Sequence, residues 1–412
     1  MSGDFEQARL RVCLSEGTHA TMRPLASSWE QRKLGELCTI SKGHGYSKAD
    51  IRDVDTPLIL YGRLYTQYES RIEDVDTFVV GQEGSLLSKG NEVIVPASGE
   101  TAEDIAVASS VRRPGIIFGG DLNVVTPVRK LDPDYTALAI TYSKAHDDLA
   151  KRAQGKSVVH VHGNDIAEVE VSYPSESEQK RISTVVLGLD NLITLHQRKY
   201  DKLCTVKKSM LDKMFPKPGE TEPEIRFEGF TDPWEQRKLG EFGSVAMCKR
   251  IYKEQTSEQG DVPFFKIGTF GTDPDAFISN ELFDYFKRTY PYPTPGTLLI
   301  SAAGSIGRVV EYQGEKAYFQ DSNIVWLEHD HRLNDTFLKP LYSQIEWGLE
   351  GSTIKRLYNK DLLSAEVTIP GSGEQKEIGR FFAKLDDLIA LHRRKLNILK
   401  NTKKSLLDKM FV

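Results

Sequence analysis

The chain of 412 residues lacks the features that mark membrane, secreted and metal-binding proteins. No apolar run approaches the roughly 18 residues that a membrane span needs, and the first residues lack the apolar core of a signal peptide. The four cysteines, Cys13, Cys38, Cys204 and Cys248, are scattered, with no Cys-x-x-Cys and no histidine cluster at metal-ligand spacing. We therefore expect a cytoplasmic protein with reduced thiols and no structural zinc.

Motifs of enzymes that act on nucleic acids are also missing. Gly155-Lys156-Ser157 is not a P-loop, because the earlier glycine is absent and position 150 is Ala. Neither Asn-Pro-Pro-Tyr nor Asp-Pro-Pro-Tyr of the amino-methyltransferases occurs. Glu178-x-Lys180 and Glu374-x-Lys376 resemble half of a nuclease site, but they lie at predicted helix starts, where an acidic residue complements the helix dipole. An independent active site is not indicated.

There is no excess of basic charge either, since the net charge is −5. The charge is uneven: the variable parts of the chain carry roughly −6 and −4, and the two helical parts carry roughly +3 and +5. Local basic loops can still bind DNA in an acidic protein, especially when a partner neutralises much of the phosphate charge. The overall charge therefore excludes no class of partner.

What the sequence has is a repeat. The octet Trp29–Glu36 returns letter for letter as Trp234–Glu241, and the segment Glu178–Phe215 returns as Glu374–Phe411 with roughly 21 identities in about 38 positions. Between these repeats the halves match only at sparse points, which include Asp121 with Asp321, Asn123 with Asn323, and Pro57 and Gly62 with Pro263 and Gly268. The two halves should therefore share a scaffold and differ in what it carries.

The repeat divides the chain into six parts: a leader (1–28), a first domain (29–174), a first helix (175–215), a connector (216–233), a second domain (234–370) and a second helix (371–412). Short apolar runs broken by Gly, Pro and Asp predict α+β domains, with helices over 134–154 and 335–348. The leader is expected to be poorly ordered, with a short docking strand or helix as the alternative. The first part of the connector, residues 216–224, is rich in proline and acid and is expected to be solvated.

Both long helices have marked starts and an apolar heptad. Ser175-x-x-Glu178 and Ser372-x-x-Gln375 have capping-box spacing. The core positions predicted for helix pairing or partner binding are Ile182, Val185, Leu189, Leu192, His196 and Leu203, with Ile378, Phe381, Leu385, Leu388, His392 and Leu399. The two histidines, with Lys199 and Lys395, favour a role in setting register over catalysis. An adjacent column, Val186, Ile193 and Tyr200 with Phe382, Ile389 and Leu396, widens the stripe and indicates a bundle with further helices.

Two variable domains, two helices with Glu-Gln-Lys near their starts and the Trp-Glu-Gln-Arg-Lys-Leu-Gly-Glu opening resemble the specificity subunit of a Type I restriction-modification system. The resemblance covers nearly everything from Trp29 to Val412. It implies two similar α+β target recognition domains, each followed by a long helix. It also implies that the two helices pack as an antiparallel coiled coil with pseudo-twofold symmetry.

The resemblance further implies the partners. The chain would bind double-stranded DNA, two modification subunits that use S-adenosylmethionine to methylate adenine, and restriction subunits that use ATP and Mg. It would be a non-catalytic subunit that binds no cofactor and no metal itself, and each domain would read one half of an asymmetric bipartite target. A helix of about 38 residues is roughly 57 Å long, enough to hold two domains one DNA turn, about 34–36 Å, apart.

Base readout requires polar side chains on loops or helix ends, and the halves offer such residues at matching places. The DNA-binding candidates are Lys42, His44, Tyr46, Arg63, Lys156, Ser157, His160 and His162 in the first domain, and Lys249, Arg250, Tyr252, Thr269, Thr353, Lys355, Arg356 and Tyr358 in the second. For each of them, a solvated loop residue or a hydrogen bond at a strand end is the alternative. Trp29 and Trp234 favour buried anchors over base stacking.

Two other classes of function stay open at this point. The chain could be a self-contained enzyme acting on nucleic acid through an unrecognised site in the variable domains. It could instead be a duplicated scaffold whose heptads bind only proteins. Methyl transfer that requires both this chain and a modification subunit would distinguish the first reading from these two.

Overall fold

Each half of the protein is closed by pairing its first strand with its last. A computed structural model describes residues 29–46, 48–345, 347 and 356–411; the leader and the candidates Thr353 and Lys355 lie outside these residues. Domain 1 (29–174) has the strands β1 Glu30–Lys33, β2 Cys38–Lys42, β3 Ile51–Arg52, β4 Thr56–Ile59, β5 Arg71–Ile72, β6 Phe78–Val79, β7 Glu92–Pro96, β8 Ser98–Gly99, β9 Ser109–Val111, β10 Ile117–Phe118, β11 Leu122–Pro127, β12 Val159–His160 and β13 Glu170–Tyr173. Its helices are α1 Leu34–Leu37, α2 Arg63–Thr66, α3 Ala102–Ile105, α4 Pro133–Tyr142, α5 Lys144–Arg152 and α6 Gly163–Ala167.

Domain 2 (234–370) follows the first long helix, α7 Glu176–Lys213, and precedes the second. Its strands are β14 Glu235–Lys238, β15 Gly243–Ala246, β16 Val262–Phe265, β17 Phe277–Ile278, β18 Leu298–Ser301, β19 Val309–Glu311, β20 Tyr318–Phe319, β21 Ile324–His329 and β22 Glu366–Ile369. Its helices are α8 Asn280–Thr289, α9 Asp335–Tyr342 and α10 Asn359–Ser364, and the chain then enters α11 Ser372–Met410.

The two domains use equivalent sheets. The main sheet has the order β2-β11-β7-β9-β5 in domain 1 and β15-β21-β18-β19 in domain 2. The second sheet has the order β10-β4-β6-β3 in domain 1 and β20-β16-β17 in domain 2. The edge strand is parallel to its neighbour in both sheets: β10 to β4, and β20 to β16. The α+β class predicted from the apolar runs is therefore confirmed.

The repeated octet is the entrance to each domain. In the first copy, Glu-Gln-Arg-Lys forms β1, which pairs antiparallel with β13. In the second copy, the same four residues form β14, which pairs antiparallel with β22 in the same register. Trp234, just before β14, is 2% exposed and lies edge-on to Phe215 and Phe337. Trp29 is half-buried against the domain 1 core and lies edge-on to Tyr135. The prediction of a buried anchor is confirmed for Trp234, whereas Trp29 packs against its core but is only half-buried.

The predicted helix over 134–154 is in fact two helices. Ser143 ends α4, and its hydroxyl accepts a hydrogen bond from the Ala145 amide at the start of α5. A serine at this place offers the backbone a cap, which competes with continued helix. In domain 2 the corresponding helix, α9, ends at Tyr342, earlier than the periodicity predicted.

The chain divides into two compact units that cut across the long helices. One unit contains domain 1, α7 up to His196 and the chain from Lys395 onward; the other spans Gln197–Arg394. Each long helix thus gives its first half to the unit of the domain that precedes it and its second half to the other unit. This division differs from the sequence boundaries, which kept each helix whole.

Within each unit the two helix halves run antiparallel. In the first unit, Lys403 of α11 contacts Asp190 of α7 at 2.5 Å, and Leu407 and Phe411 join the core that contains Ile182. The second unit repeats this arrangement: Lys207 contacts Asp386 at 2.5 Å, and Met214 and Phe215 join the core that contains Ile378. Along each pair the residue number rises on one helix as it falls on the other, which confirms the predicted antiparallel pairing.

A repeated glutamine joins each long helix to its own domain. Gln179 is fully buried; its amide nitrogen donates to the Lys130 and Pro174 carbonyls, and its oxygen accepts from the Asp132 amide. Gln375 makes the same three bonds in domain 2, to the Arg332 and Pro370 carbonyls and from the Asn334 amide. The capping box predicted for Ser372 and Gln375 is wrong, because the Gln375 side chain faces the domain. Ser175 does accept a long bond, 3.4 Å, from the Glu178 amide.

Most of residues 216–224 are exposed, as predicted, but the second part of the connector is docked against the start of α11. The Arg226 guanidinium donates to both oxygens of Glu374, at 2.8 Å each, and Phe227 lies edge-on to Phe381. Lys213 contacts Glu224 at 2.6 Å, and the Trp234 amide donates to the Thr221 carbonyl. Proline stops the helix as expected, but the basic and aromatic residues that follow hold the connector against the start of α11.

Candidate nucleic-acid interface

One turn in domain 1, residues 119–123, gathers the predicted DNA-binding segments. The Gly43 amide donates to the Leu122 carbonyl, and the Gly119 amide donates to the Ile59 carbonyl. The Asn123 side chain donates to the Val161 carbonyl at 3.0 Å. Three segments that are far apart in sequence, 42–46, 59–63 and 156–162, therefore meet around this turn.

The equivalent turn of domain 2, residues 320–323, does the same with different side chains. The Gln320 side chain accepts from the Ile267 amide at 2.8 Å, next to Thr269. Arg250 donates to Asp321 at 2.8 Å, and Arg356 donates to the Ser322 carbonyl at 3.1 Å. The loops of the three candidate sets again converge on one place.

Asp121 and Asn123 are not among the predicted DNA-binding residues, although the sequence repeats them as Asp321 and Asn323. Asp121 has a left-handed backbone, with φ of 59°, a conformation that aspartate tolerates better than most residues. Its carbonyl accepts from the Ala97 amide. A sparse match inside otherwise diverged segments was the signal that could have identified the turn.

The loop after β2 lies directly against this turn. A Cβ atom on Gly43 would lie 2.0 Å from the Gly119 carbonyl oxygen, so only glycine permits the approach. The flanking Lys42 and His44 are exposed. Beside them an open cleft of about 930 Å³ is lined by Lys42, Lys48, Tyr61 and other residues of the loops after β2 and β4.

On the other side of the turn, the segment 154–162 presents a run of exposed polar residues. Lys156, Ser157, His160 and His162 are all exposed. The segment is held by β12, which pairs with β8, and by the bonds between Gln154 and His160. These four candidates are thus held by backbone pairing, while their side chains face solvent.

Two candidates of domain 1, Tyr46 and Arg63, are largely covered by their own domain. Tyr46 is 7% exposed, its ring packs in a core with Leu58 and Val79, and its hydroxyl lies 2.5 Å from Ser85 Oγ. The Arg63 side chain is 15% exposed, and its guanidinium contacts Glu69 and Asp76 at 2.9 Å each. These contacts favour the alternative of a residue held within its own domain: Tyr46 anchors its loop in the core, and the charge of Arg63 is paired inside the domain.

The basic loop of domain 2 is more exposed. Ile251, 9% exposed, packs with Val262 and Ile278 and so takes the anchoring place that Tyr46 has in domain 1. Tyr252, the next residue, is 60% exposed. Lys249 is exposed, and its ammonium lies 5.1 Å from the centre of the Tyr290 ring.

Electrostatics differ along this loop. The pKa of Arg250 is raised by its hydrogen bond to Asp321, so the guanidinium stays charged and held in place. Burial raises the pKa of the adjacent Cys248 thiol to about 12.

The other described candidates of domain 2 lie outside this loop. The Thr269 hydroxyl accepts a hydrogen bond from the Lys266 amide and donates one to the Lys266 carbonyl. Arg356 is half-buried, and Tyr358 is 46% exposed.

The helix positions predicted from the heptad fall into two groups. Ile182, Ile378 and Leu385 are buried, and Leu189, Leu192, His196, Leu203, Phe381, His392 and Leu399 are half-buried. Val185 and Leu388 are 45% and 43% exposed, so they do not lie in the helix pair. The adjacent column of apolar residues, which the sequence predicts only to widen the apolar stripe of the helices, is buried at Val186, Phe382 and Leu396.

In the part of the chain that the structure describes, no helix combines the length with the apolar composition that a membrane span requires. Among the same residues, no three His, Cys, Asp or Glu side chains are grouped as ligands of one metal ion would be.

Comparison with known protein families gives one match that occurs twice. The family model of the Type I restriction modification DNA specificity domain matches residues 26–204 and again residues 231–401. The two matches cover most of the chain and reproduce the division into halves that the repeat indicates.

Individual relatives agree with this match. A protein of Haemophilus influenzae described as a type I restriction enzyme specificity subunit is 51% identical over 153 residues, 37% of this chain and 40% of that protein's length. The chain thus spans about two fifths of that relative. A specificity subunit of Methanocaldococcus jannaschii is 22% identical over 71% of both chains, and another from this organism is 21% identical over 92% of this chain and 91% of its own.

Among solved structures, the crystal structure of a Type I restriction-modification system S subunit from M. genitalium aligns with 93% of this chain and 96% of its own. The TM-score is 0.63 and the sequence identity is 16%. At this identity the likeness establishes the fold.

Proposed function

The chain belongs to the family of Type I restriction-modification specificity subunits, and from this premise we propose that it selects the DNA target of such a system in the cytoplasm. Each of its two domains reads one half of an asymmetric bipartite sequence. The chain itself is not a catalyst: S-adenosylmethionine would be used by two modification subunits, and ATP with Mg by restriction subunits.

The observation that supports this proposal most directly is the convergence of three loops on one turn in both domains. Equivalent scaffolds carry different side chains at that turn, with exposed Lys42 and His44 in domain 1 and exposed Lys249 and Tyr252 in domain 2. Polar and basic side chains on loops held by a rigid sheet suit contacts to groove edges and phosphates. Different side chains on one scaffold would read different half-sites.

The long helices would set the distance between the half-sites. A continuous helix of 38 residues, the length of α7, is about 57 Å long. Half-sites one DNA turn apart are about 34–36 Å apart. Helices of this length, repeated in both halves, are long enough to determine such a spacing.

Contacts to the modification subunits would use the exposed apolar residues of the helices. Leu195 and Leu391 occupy the same place in the two copies of the repeat and are 38% and 45% exposed. Because the two sites are equivalent, each would accept one copy of the same partner.

The first experiment is reconstitution. The chain is mixed with its modification subunit, S-adenosylmethionine and DNA, and methyl transfer to adenine is measured with each component omitted in turn. The proposal expects transfer only when both proteins are present. Transfer by the chain alone would support a self-contained enzyme, and a complex without DNA selectivity would support a protein scaffold.

Half-site assignment is tested with a matched pair of variants. Lys42 and Lys249 lie at equivalent places, at the end of β2 and in the loop after β15. Methylome sequencing of Lys42→Ala and Lys249→Ala strains should show each variant altering methylation through one half-site only, and a different half-site for each. Loss of the same half-site in both variants would contradict the assignment.

An insertion of four residues after Gln197 tests whether the length of the long helix sets the distance between the half-sites. The expected result is a changed distance between half-sites whose sequences stay the same. The control is an insertion of the same length at Gly219, an exposed residue of the connector, which should leave the distance unchanged. An unchanged distance after the helix insertion would refute the spacing role.

Docking is tested with Leu195→Asp and Leu391→Asp. Each single variant should lose one modification subunit and the double variant should lose both, as read by mass on gel filtration with light scattering. Thr194→Asp, an exposed position next to Leu195, is the control. An intact complex with the double variant would show that these leucines are not the docking surface.

A further inference from the structure

Domain 2 carries a helix that domain 1 replaces with loop. Helix α8 lies between β17 and β18, and the corresponding stretch of domain 1, residues 80–91 between β6 and β7, is loop. Ser279 caps the start of α8 by accepting from the Leu282 amide at 3.2 Å. Phe283 and Phe286 are buried, which leaves the opposite face of α8 in solvent.

The end of α8 is continuous with the candidate DNA-binding loop. Lys249 lies over the ring of Tyr290, which follows the last residue of the helix. The Tyr318 hydroxyl donates to the Lys249 carbonyl at 3.0 Å, and the Tyr318 ring contacts Phe286, whose centre is 5.9 Å away. The loop and the helix end are therefore held together through Tyr290 and Tyr318.

Aromatic contacts extend this surface onto the helix. The Tyr285 and Tyr290 ring centres are 6.4 Å apart with an edge-on orientation, and Tyr285 is 50% exposed. The neighbouring Arg288 is exposed as well. We call the group Lys249, Tyr290, Tyr285 and Arg288 the α8 strip.

Charged side chains are unevenly distributed along α8. The carboxylates Glu281 and Asp284 lie in the first half of the helix, and Lys287 and Arg288 lie in its last turn. Lys287 lies over the rings of Phe283 and Tyr292, on a different flank from Tyr290. The basic end of the helix is thus the end that adjoins Lys249.

We propose that the α8 strip binds the sugar-phosphate backbone of duplex DNA just outside the half-site read by domain 2. This inference rests on the proposed function, because Lys249 belongs to both surfaces. Basic side chains beside exposed aromatic rings suit a backbone that is negatively charged and has apolar sugar edges. The contact gives domain 2 affinity without sequence information, and domain 1 has loop where this contact would form.

The test uses the assembled complex of this chain with its modification subunits. Binding is measured against salt concentration for wild type, Arg288→Gln and Tyr285→Ala. The expected result for Arg288→Gln is weaker binding to all sequences alike, a slope of log affinity against log salt that falls by about one, and an unchanged recognised sequence. Tyr285→Ala should weaken binding with little change in slope.

Lys316→Gln is the matched control for the charge. Lys316 is exposed, lies over Phe283 and hydrogen-bonds Asn280 in the first turn of α8, away from the strip. The Lys316→Gln variant should show the same salt dependence of DNA binding as wild type. An equal fall in slope for Arg288→Gln and Lys316→Gln would overturn the proposal, because the effect would then be one of net charge.

Truncated DNA provides the second measurement. Removing the base pairs beyond one half-site should weaken binding of wild type and leave Arg288→Gln almost unaffected, at one end of the target only. Equal losses for both proteins would overturn the proposal. Loss of a modification subunit in Arg288→Gln would also overturn it and assign the strip to a protein contact, whereas a wild-type complex with no selectivity for DNA would refute the proposed function itself.

Discussion

The two halves are alike at the junctions between domain and helix. They differ at the loop surfaces of the same two domains. At the junctions the halves agree bond for bond, since Gln179 and Gln375 each make the same three hydrogen bonds. At the loop surfaces the scaffold turn is kept, but the buried tyrosine of domain 1, Tyr46, gives way to Ile251 beside the exposed Tyr252. Residues that contact each other inside the chain are therefore the same in the two halves, whereas exposed residues of the loops differ between them.

The comparison also separates two uses of charge. Arg63 is nearly buried and pairs with Glu69 and Asp76, so it stabilises its loop. Arg250 is 57% exposed and makes a single ion pair, with Asp321. Both arginines are paired within their domain, so it is the exposure of the Arg250 side chain that leaves it available as a DNA-binding candidate.

The largest effect is expected at the domain entrances. Trp234→Ala should lower the free energy of unfolding by about 3–5 kcal/mol, because a large side chain packed against Phe215 and Phe337 would leave a cavity. Trp29→Ala should cost less, since Trp29 is only half-buried. Urea unfolding of the full chain measures both, with Trp234→Phe as the milder control. Equal losses of unfolding free energy for Trp234→Ala and Trp29→Ala would contradict the expected difference between the two domain entrances.

The glutamine junctions come next. Gln179→Leu and Gln375→Leu should each lower the free energy of unfolding by about 1–3 kcal/mol, since each removes the side-chain partner of two backbone carbonyls and one backbone amide. The expected equality of the two losses is what tests whether the junctions are equivalent. Gln313→Leu, at an exposed position, is the control and should have almost no effect. A loss at one junction only would show that the repeat conserves the bonds and not their energetic role.

A smaller effect is expected from the repeated ion pair between the helices. Double-mutant cycles with alanine should give coupling of about 0.5–1 kcal/mol for Lys207 with Asp386 and for Lys403 with Asp190. The second pair should couple more strongly, because the Lys403 side chain is 15% exposed and the Lys207 side chain 31%. The exposed pair Lys33 with Glu168 is the control, with coupling near zero expected. Stronger coupling of Lys207 than of Lys403 would contradict this ranking by burial.

The smallest effect concerns two buried cysteines, Cys38 at the start of β2 and Cys248 in the loop after β15. Burial raises the pKa of both Cys38 and Cys248 to about 12, so each thiol stays protonated as pH rises until about that value. Because the thiolate is the nucleophile, iodoacetamide at pH 8 should modify neither within the time that labels the same chain in urea. Peptide mapping by mass spectrometry gives the result for each cysteine separately. Fast labelling of Cys248 alone would show that the domain 2 loop opens more readily than β2.

Much of the architecture could be predicted because it depends on local pattern and repetition. The last strand of domain 1 ends at Tyr173 and α7 begins at Glu176, close to the predicted helix start at 175. The prediction failed where contact partners are distant in sequence. Arg63 is paired with Asp76 and Glu69, and the connector is held by an ion pair between Arg226 and Glu374, 148 positions apart.

Sequence by itself determined that this protein is one unit written twice, with α+β domains, long apolar-striped helices and loops that diverge between the copies. Repetition and periodicity are properties of the chain, so they need no coordinates to be seen. Only the tertiary structure decided which helix column is buried, that each unit combines halves of both helices, and which basic residues are still exposed at the turns. Those outcomes depend on which side chains meet across long stretches of chain, and spacing along the sequence does not specify such encounters.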